Sequence, residues 1–199
     1  MTKKGLIWFV IAWCILTLII YYSITYLAAA LWILLCAATL LLSFIQLLKL
    51  ITRKDFTKLR IQKTIVFTFL FLLTFFHWNN DFIEKIDWYI FYNKRAEIVE
   101  EVKNKQLKPN ASWNGQLCQL SFKFPIVSNS GNDIIIIRDS LNGSLTVKFF
   151  IRRGMFDDFS DYFVYSDSRK ETLMMERLSK NDPKRNWKLK DNWYRIQDW

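Results

Sequence analysis

The stretch GLIWFVIAWCILTLIIYYSITYLAAALWILLCAATLLLSFIQLL, residues 5–48, contains no Asp, Glu, Lys, Arg or His. A membrane-crossing helix needs about 20 consecutive apolar residues. This run is therefore long enough for two. Its softest point is Tyr21-Tyr22-Ser23-Ile24-Thr25, polar and aromatic enough for a membrane interface. The run predicts one helix over about 5–22 and a second over about 26–48, joined by a tight turn. A third apolar run covers 64–78, with Lys63 placed to snorkel at one end and Trp78 to anchor the other. Its alternative is a buried soluble helix. Lys3, Lys4 and the small residues Ala28-Ala29-Ala30 imitate a cleavable signal. Another full span follows directly, so retention is expected.

Charge sets the expected orientation. Residues 1–80 hold eight Lys and Arg (Lys3, Lys4, Lys49, Arg53, Lys54, Lys58, Arg60, Lys63) against Asp55 alone. Most of the net charge of +10 therefore flanks apolar runs. Basic residues beside spans stay on the cytoplasmic side. This predicts a cytoplasmic N-terminus, an outer 21–25 turn, a cytoplasmic 53–63 loop, and residues 81–199 outside. The basic balance is thus accounted for without nucleic acid, and the 49–63 segment suits anionic lipid. Apart from His77, no ionisable residue lies within the expected spans. That argues for an anchor rather than a transporter.

The remainder, 81–199, reads as a small α+β domain. Asp81-Phe82-Ile83-Glu84 resembles a helix start, with Asp at the N-cap and Glu at N3. Phe82, Ile83, Ile86, Ile90, Ile98, Val99 and Val102 follow at helical spacing, and Lys108-Pro109-Asn110 ends the helix. Glu97, Glu100 and Glu101 near Lys103 and Lys105 read as a solvated face. The period then changes. Cys118, Leu120, Phe122 and Phe124 alternate with polar residues as a strand should, and Pro125 ends the pattern. Residues 134–137 and 145–151 read as strands joined by Asn142-Gly143, a two-residue hairpin signal. A strand over 162–165, a helix over 171–178 and a last hairpin of 187–189 with 193–196 complete the domain. The expected fold class is a membrane protein: three transmembrane helices, then a juxtamembrane helix and an antiparallel sheet of four to six strands.

The catalytic inventory is thin. His77 is the only histidine, so triads, Cys-His dyads and multi-histidine zinc sites are excluded from the outer domain. Three scattered Cys and five isolated Gly give no zinc spacing, P-loop or dinucleotide fingerprint. Cys118 in its apolar pattern reads as a buried, inert thiol. Asp157-Asp158-Phe159-Ser160-Asp161 fits the D-D-x-x-D pattern of isoprenoid synthases, but no second acidic cluster accompanies it. Clustered carboxylates also suit a hard cation. A solvated turn opposite Arg152 and Arg153 is the plainer reading, and no metal or cofactor is assigned.

The segment Phe149-Phe150-Ile151-Arg152-Arg153-Gly154, with Asp157 to Asp161 and then Tyr162-Phe163-Val164-Tyr165-Ser166, is similar to a recurrent stretch of uncharacterised bacterial membrane-anchored proteins. There an F-x-x-R-G turn leads to a D-x-[FY]-S step and an aromatic strand ending in Tyr-Ser. The resemblance covers about 50 residues and implies a bacterial origin, with no activity to carry over.

The leading expectation is a non-enzymatic interaction or accessory protein of the bacterial cytoplasmic membrane, immunity-like in one version. It presents an outer surface to a protein partner. Arg152, Arg153, Asp157, Asp158 and Asp161 form its expected polar centre, and the bilayer is its other partner. The alternatives are an envelope enzyme using Asp/Glu chemistry and a structural subunit of a membrane complex. Facing carboxylates about 5–9.5 Å apart in a cleft would mark the enzyme. Asp groups paired to Arg would mark the binding module.

Overall fold

The computed structural model describes residues 2–23, 25–53, 56–129, 131–140, 143–153 and 160–198. The chain divides into two compact units, 1–86 and 87–199.

The first unit is helical. Helix α1 (Lys3–Tyr22) starts at Thr2, whose hydroxyl accepts from Gly5 N at 3.2 Å. Helix α2 (Thr25–Arg53) follows, then α3 (Lys58–Phe75). The first two are long and apolar enough to cross a membrane. A third crossing is reached only if α3 is joined with the next helix, α4 (Trp78–Lys103). Helix α2 outruns its apolar core to Arg53, and α3 starts at Lys58 rather than Thr64. Long basic side chains tolerate such ends because their stems stay apolar.

Two tryptophans hold the three helices together. Trp13 of α1 donates to Thr74 Oγ1 at 3.1 Å, and Trp32 of α2 donates to Thr74 O at 3.0 Å. Ile20, Leu35 and Leu70 form a buried cluster with Trp13, and Trp32 packs against it. The Trp32 bond reaches a carbonyl in the last turn of α3 that also accepts from His77 N at 3.2 Å. His77 then adopts φ 57° and stacks on Trp32 at 4.7 Å. This reversal stops α3 at Phe75 and restarts the chain at Trp78. The expected helix start at Asp81 is therefore displaced: Asp81 lies in the first turn of α4.

The second unit is an antiparallel sheet between two helices. Its strands are β1 (Leu117–Gln119), β2 (Asp133–Arg138), β3 (Leu145–Arg152), β4 (Ser160–Ser166), β5 (Trp187–Lys190) and β6 (Trp193–Asp198). Their order is β1-β2-β3-β4-β6-β5. Helix α5 (Arg169–Asn181), capped by Ser168, covers one face. There Met175 meets Phe150, Tyr162, Val164, Tyr194 and Ile196. Alternation along β4 turns Phe163 to the opposite face, under α4. Trp88 packs on Phe163 at 5.1 Å and on Trp193 at 5.3 Å. At the β2–β3 hairpin, Gly143 takes φ 71° and donates to Asp139 O at 2.9 Å, while Asn142 lies outside the described residues.

One expectation is corrected. The strand expected over 118–124 ends at Gln119, and Phe124 is exposed. Asn132, fully buried at φ 61°, draws the chain away instead. Its Oδ1 accepts from Val127 N (2.8 Å) and Ser128 N (3.1 Å). Its Nδ2 donates to Phe122 O (3.1 Å) and Pro125 O (2.9 Å). In α4, the residues grouped by helical spacing divide: Ile83, Ile98, Val99 and Val102 are buried, whereas Phe82, Ile86 and Ile90 are exposed. The inward face carries Asp87, Trp88 and Arg95 instead. Arg95 is 2% exposed; it bonds Asp87 Oδ2 at 2.5 Å, Asp87 O at 3.2 Å and Val127 O at 2.8 Å. Its guanidinium lies 4.5 Å over the Phe163 ring.

Removing one member of a buried pair strands the other charge, at a cost of about 3–5 kcal/mol. Asp87→Ala is expected to lower the thermal midpoint of the detergent-solubilised protein steeply. The double variant Asp87→Leu/Arg95→Met is expected to recover most of that loss. Near-UV circular dichroism during heating checks both.

Candidate functional site

The polar centre expected from sequence is assembled around one buried carboxylate. Strand β4 lies between β3 and β6, and Asp161 sits near its start. Asp161 Oδ2 is 3.1 Å from Arg152 Nε on β3, and Oδ1 is 3.0 Å from Arg195 Nη2 on β6. Arg152 is Asp161's register partner, brought opposite it by an irregularity between Phe150 and Arg152. Arg195 is fixed from two further directions. Its Nη1 donates to Arg185 O at 2.5 Å, and its guanidinium lies 5.2 Å over the Trp187 ring. Among the described residues, Oδ1 of Asp161 has no aligned hydrogen-bond donor, so proximity of charge is what Arg195 supplies.

Arg153 is not part of this cluster. It turns to Asp133 at the start of β2, 3.6 Å away, and lies 5.2 Å over the Phe150 ring. Phe150 belongs to the α5 face, whereas Asp161 alternates with Tyr162 and so takes the opposite face. Successive arginines thus serve opposite faces of the sheet. Asp157 and Asp158 lie outside the described residues. Among the described residues no group of three or more His, Cys, Asp or Glu side chains is placed to hold a metal ion.

Burial tunes two groups near the β1–β2 edge. It raises the Asp133 carboxyl above its ordinary range, with Arg153 pulling the other way. Burial, and then the Asp133 charge, push the Cys118 thiol up, which suppresses its reactive thiolate.

Chemically, the Asp161 cluster is an ion-paired clasp. Its carboxylate is enclosed, while 57% of the Arg152 side chain faces solvent. The sequence reading missed Arg195. A single charge inside the apolar alternation of Trp193, Tyr194 and Ile196 was the available signal. It also missed Asp133 and the Asp87–Arg95 pair, which depend on contacts distant in sequence. A separate cleft of about 410 Å³ is lined by Lys105, Lys108 and Arg138 together with Leu107, Ile136 and Ile137, and no carboxylate lines it. No protein-family model, curated protein or solved structure matches the chain.

Asp161→Asn removes the buried carboxylate that faces Arg195 at 3.0 Å and is expected to cost about 3–5 kcal/mol. Arg152→Ala removes an exposed partner and is expected to cost about 1 kcal/mol or less. Urea unfolding in detergent separates the two. Asp133 has a distinct signature. A carboxyl whose folded pKa is raised adds stability that is present below its unfolded pKa and is lost as pH rises through the folded one. Asp133→Asn is therefore expected to flatten the fall in stability across the weakly acidic range, read from thermal midpoints at a series of pH values.

Proposed function

We propose that this chain is a membrane-anchored, non-enzymatic interaction protein of the bacterial envelope, with residues 81–199 outside the cytoplasm. The observation that carries this reading is the state of the acidic groups. Asp161 is enclosed between Arg152 and Arg195, and Asp133 faces Arg153. A carboxylate committed to guanidinium groups and shut from solvent is poorly placed to deliver or take a substrate proton. The described cleft adds no carboxylate pair of the kind glycan hydrolysis uses. Among the described residues, what remains open at the polar centre is cationic surface. Exposed guanidinium groups suit recognition of a partner's carboxylates, with bidentate geometry adding specificity. An immunity-like role, in which the anchored domain meets an incoming protein at the membrane, is one form of this activity. The excess of basic residues around the apolar helices supports the orientation.

Reporter fusions after Trp199 test the topology: a periplasm-active reporter is expected to give signal and a cytoplasm-active one none. The reverse pattern overturns the envelope reading. A photocrosslinker placed at the exposed Lys123 tests the surface. Charge reversal by Arg152→Glu is expected to reduce the crosslinked adduct, measured well below the unfolding midpoint, which the new carboxylate beside Asp161 also lowers. An adduct insensitive to that change removes Arg152 from the interface.

A further inference from the structure

The three apolar residues of α4 that turn away from the fold belong to a longer exposed stripe. Trp78, Phe82, Ile86, Tyr89 and Ile90 are 41–82% exposed. Steps of three and four residues place them on one helical face. The opposite face carries Asp87, Trp88 and Arg95, all buried. The stripe stops abruptly. Past Ile90 the same face presents Asn93, Glu97 and Glu100, all exposed. The apolar part runs from Trp78 to Ile90, about 18 Å along the axis.

Where this stripe starts is constrained by the chain. From Phe75, the last residue of α3, to Trp78 is a reach of at most about 11 Å. Helix α3 has 18 residues, about 27 Å, against a hydrocarbon core of about 30 Å. Its first turns are occupied by Lys58, Arg60 and Lys63. Under the anchored reading, α3 is used up before it clears the membrane, so α4 begins inside the interfacial layer. A stripe of Trp, Phe, Ile and Tyr is the composition that layer favours. Exposed Lys85 lies beside it, able to reach phosphate headgroups while its stem stays apolar.

We infer that the first three turns of α4 are an interfacial membrane-binding face, seated in the lipid headgroup and upper acyl region through Phe82, Ile86, Tyr89 and Ile90. The inference rests on the anchored reading of the chain and goes beyond it. Helix α4 is a lipid contact as far as Ile90 and becomes water-facing at Asn93. Water meets the domain one helical turn past Ile90, not at Asp81.

Site-directed spin labelling of the full chain in lipid vesicles tests this. The background carries Cys14→Ala, Cys36→Ala and Cys118→Ala. Single nitroxide labels replace Phe82, Ile86, Ile90, Asn93 or Glu97, with Leu40 of α2 as a membrane control. Collision with dissolved oxygen reports lipid, and collision with a water-soluble nickel complex reports water. The expected result is a high oxygen-to-nickel ratio at 82, 86 and 90 that inverts at 93 and 97. Nickel access at 82, 86 and 90 with Leu40 still in lipid overturns the inference and leaves the anchor standing. Shielding of all three from both reagents also overturns it, because a second copy or another protein then covers the face. Nickel access at Leu40 overturns the anchored reading, and this inference with it. Should the label at Ile86 lower the thermal midpoint, Tyr89 on the same face takes its place.

Discussion

The second unit depends on a buried guanidinium. Taking Arg95 out of water costs several kcal/mol even after relaxation, and only near-complete pairing offsets that. Asp87 supplies the counter-charge from two turns earlier on the same helix, Val127 supplies a carbonyl from a loop, and Phe163 supplies a ring face from the sheet. Helix, loop and strand are each positioned by the same side chain. The bond to Asp87 also fixes the rotation of α4 about its own axis. Once Asp87 and Arg95 face inward, Phe82, Ile86 and Ile90 must face out. An apolar stripe on the outside of α4 is therefore the geometric complement of a charge on the inside.

A comparable arrangement, built from neutral groups, operates in the helical unit. Thr74 receives Trp13 on its hydroxyl and Trp32 on its carbonyl, which joins three helices at one residue. Ser43 and Thr68 add a 2.7 Å bond between α2 and α3. In an apolar environment such bonds, with close packing, replace the hydrophobic drive that assembles helices in water. The two halves of the chain thus use different means for the same end: neutral hydrogen bonds among the apolar helices, an ion pair and aromatic rings around the sheet.

Much of this was legible from residue order alone. Apolar runs marked α1 and α2, alternation marked β3, and Asn142-Gly143 marked where β2 turns into β3, although six residues rather than two separate the register partners Arg138 and Leu145. These are local signals, carried by period and turn chemistry. The signals that failed were those a distant partner overrides. Period alone grouped Phe82, Ile86 and Ile90 with Ile83, Ile98, Val99 and Val102 because it could not weigh them against an Asp and an Arg that satisfy each other. Alternation extended β1 to Phe124 because it could not see Asn132 collecting four backbone groups from the same segment. At the polar centre, Arg152 and Asp161 were found because they lie only nine residues apart in the sequence. Arg195 comes from a strand more than thirty residues later.

The sheet's two borders bear on how any partner can attach. On one side β1 pairs over only three residues before the chain leaves. On the other, β5 places Lys188 and Lys190 in a four-residue strand whose register with β6 breaks between them. Neither border offers a long, flat row of backbone donors and acceptors, which is what strand addition from another chain requires. Under the proposed role, recognition by this domain is written in side chains, and its selectivity can change by single surface substitutions without remodelling the backbone.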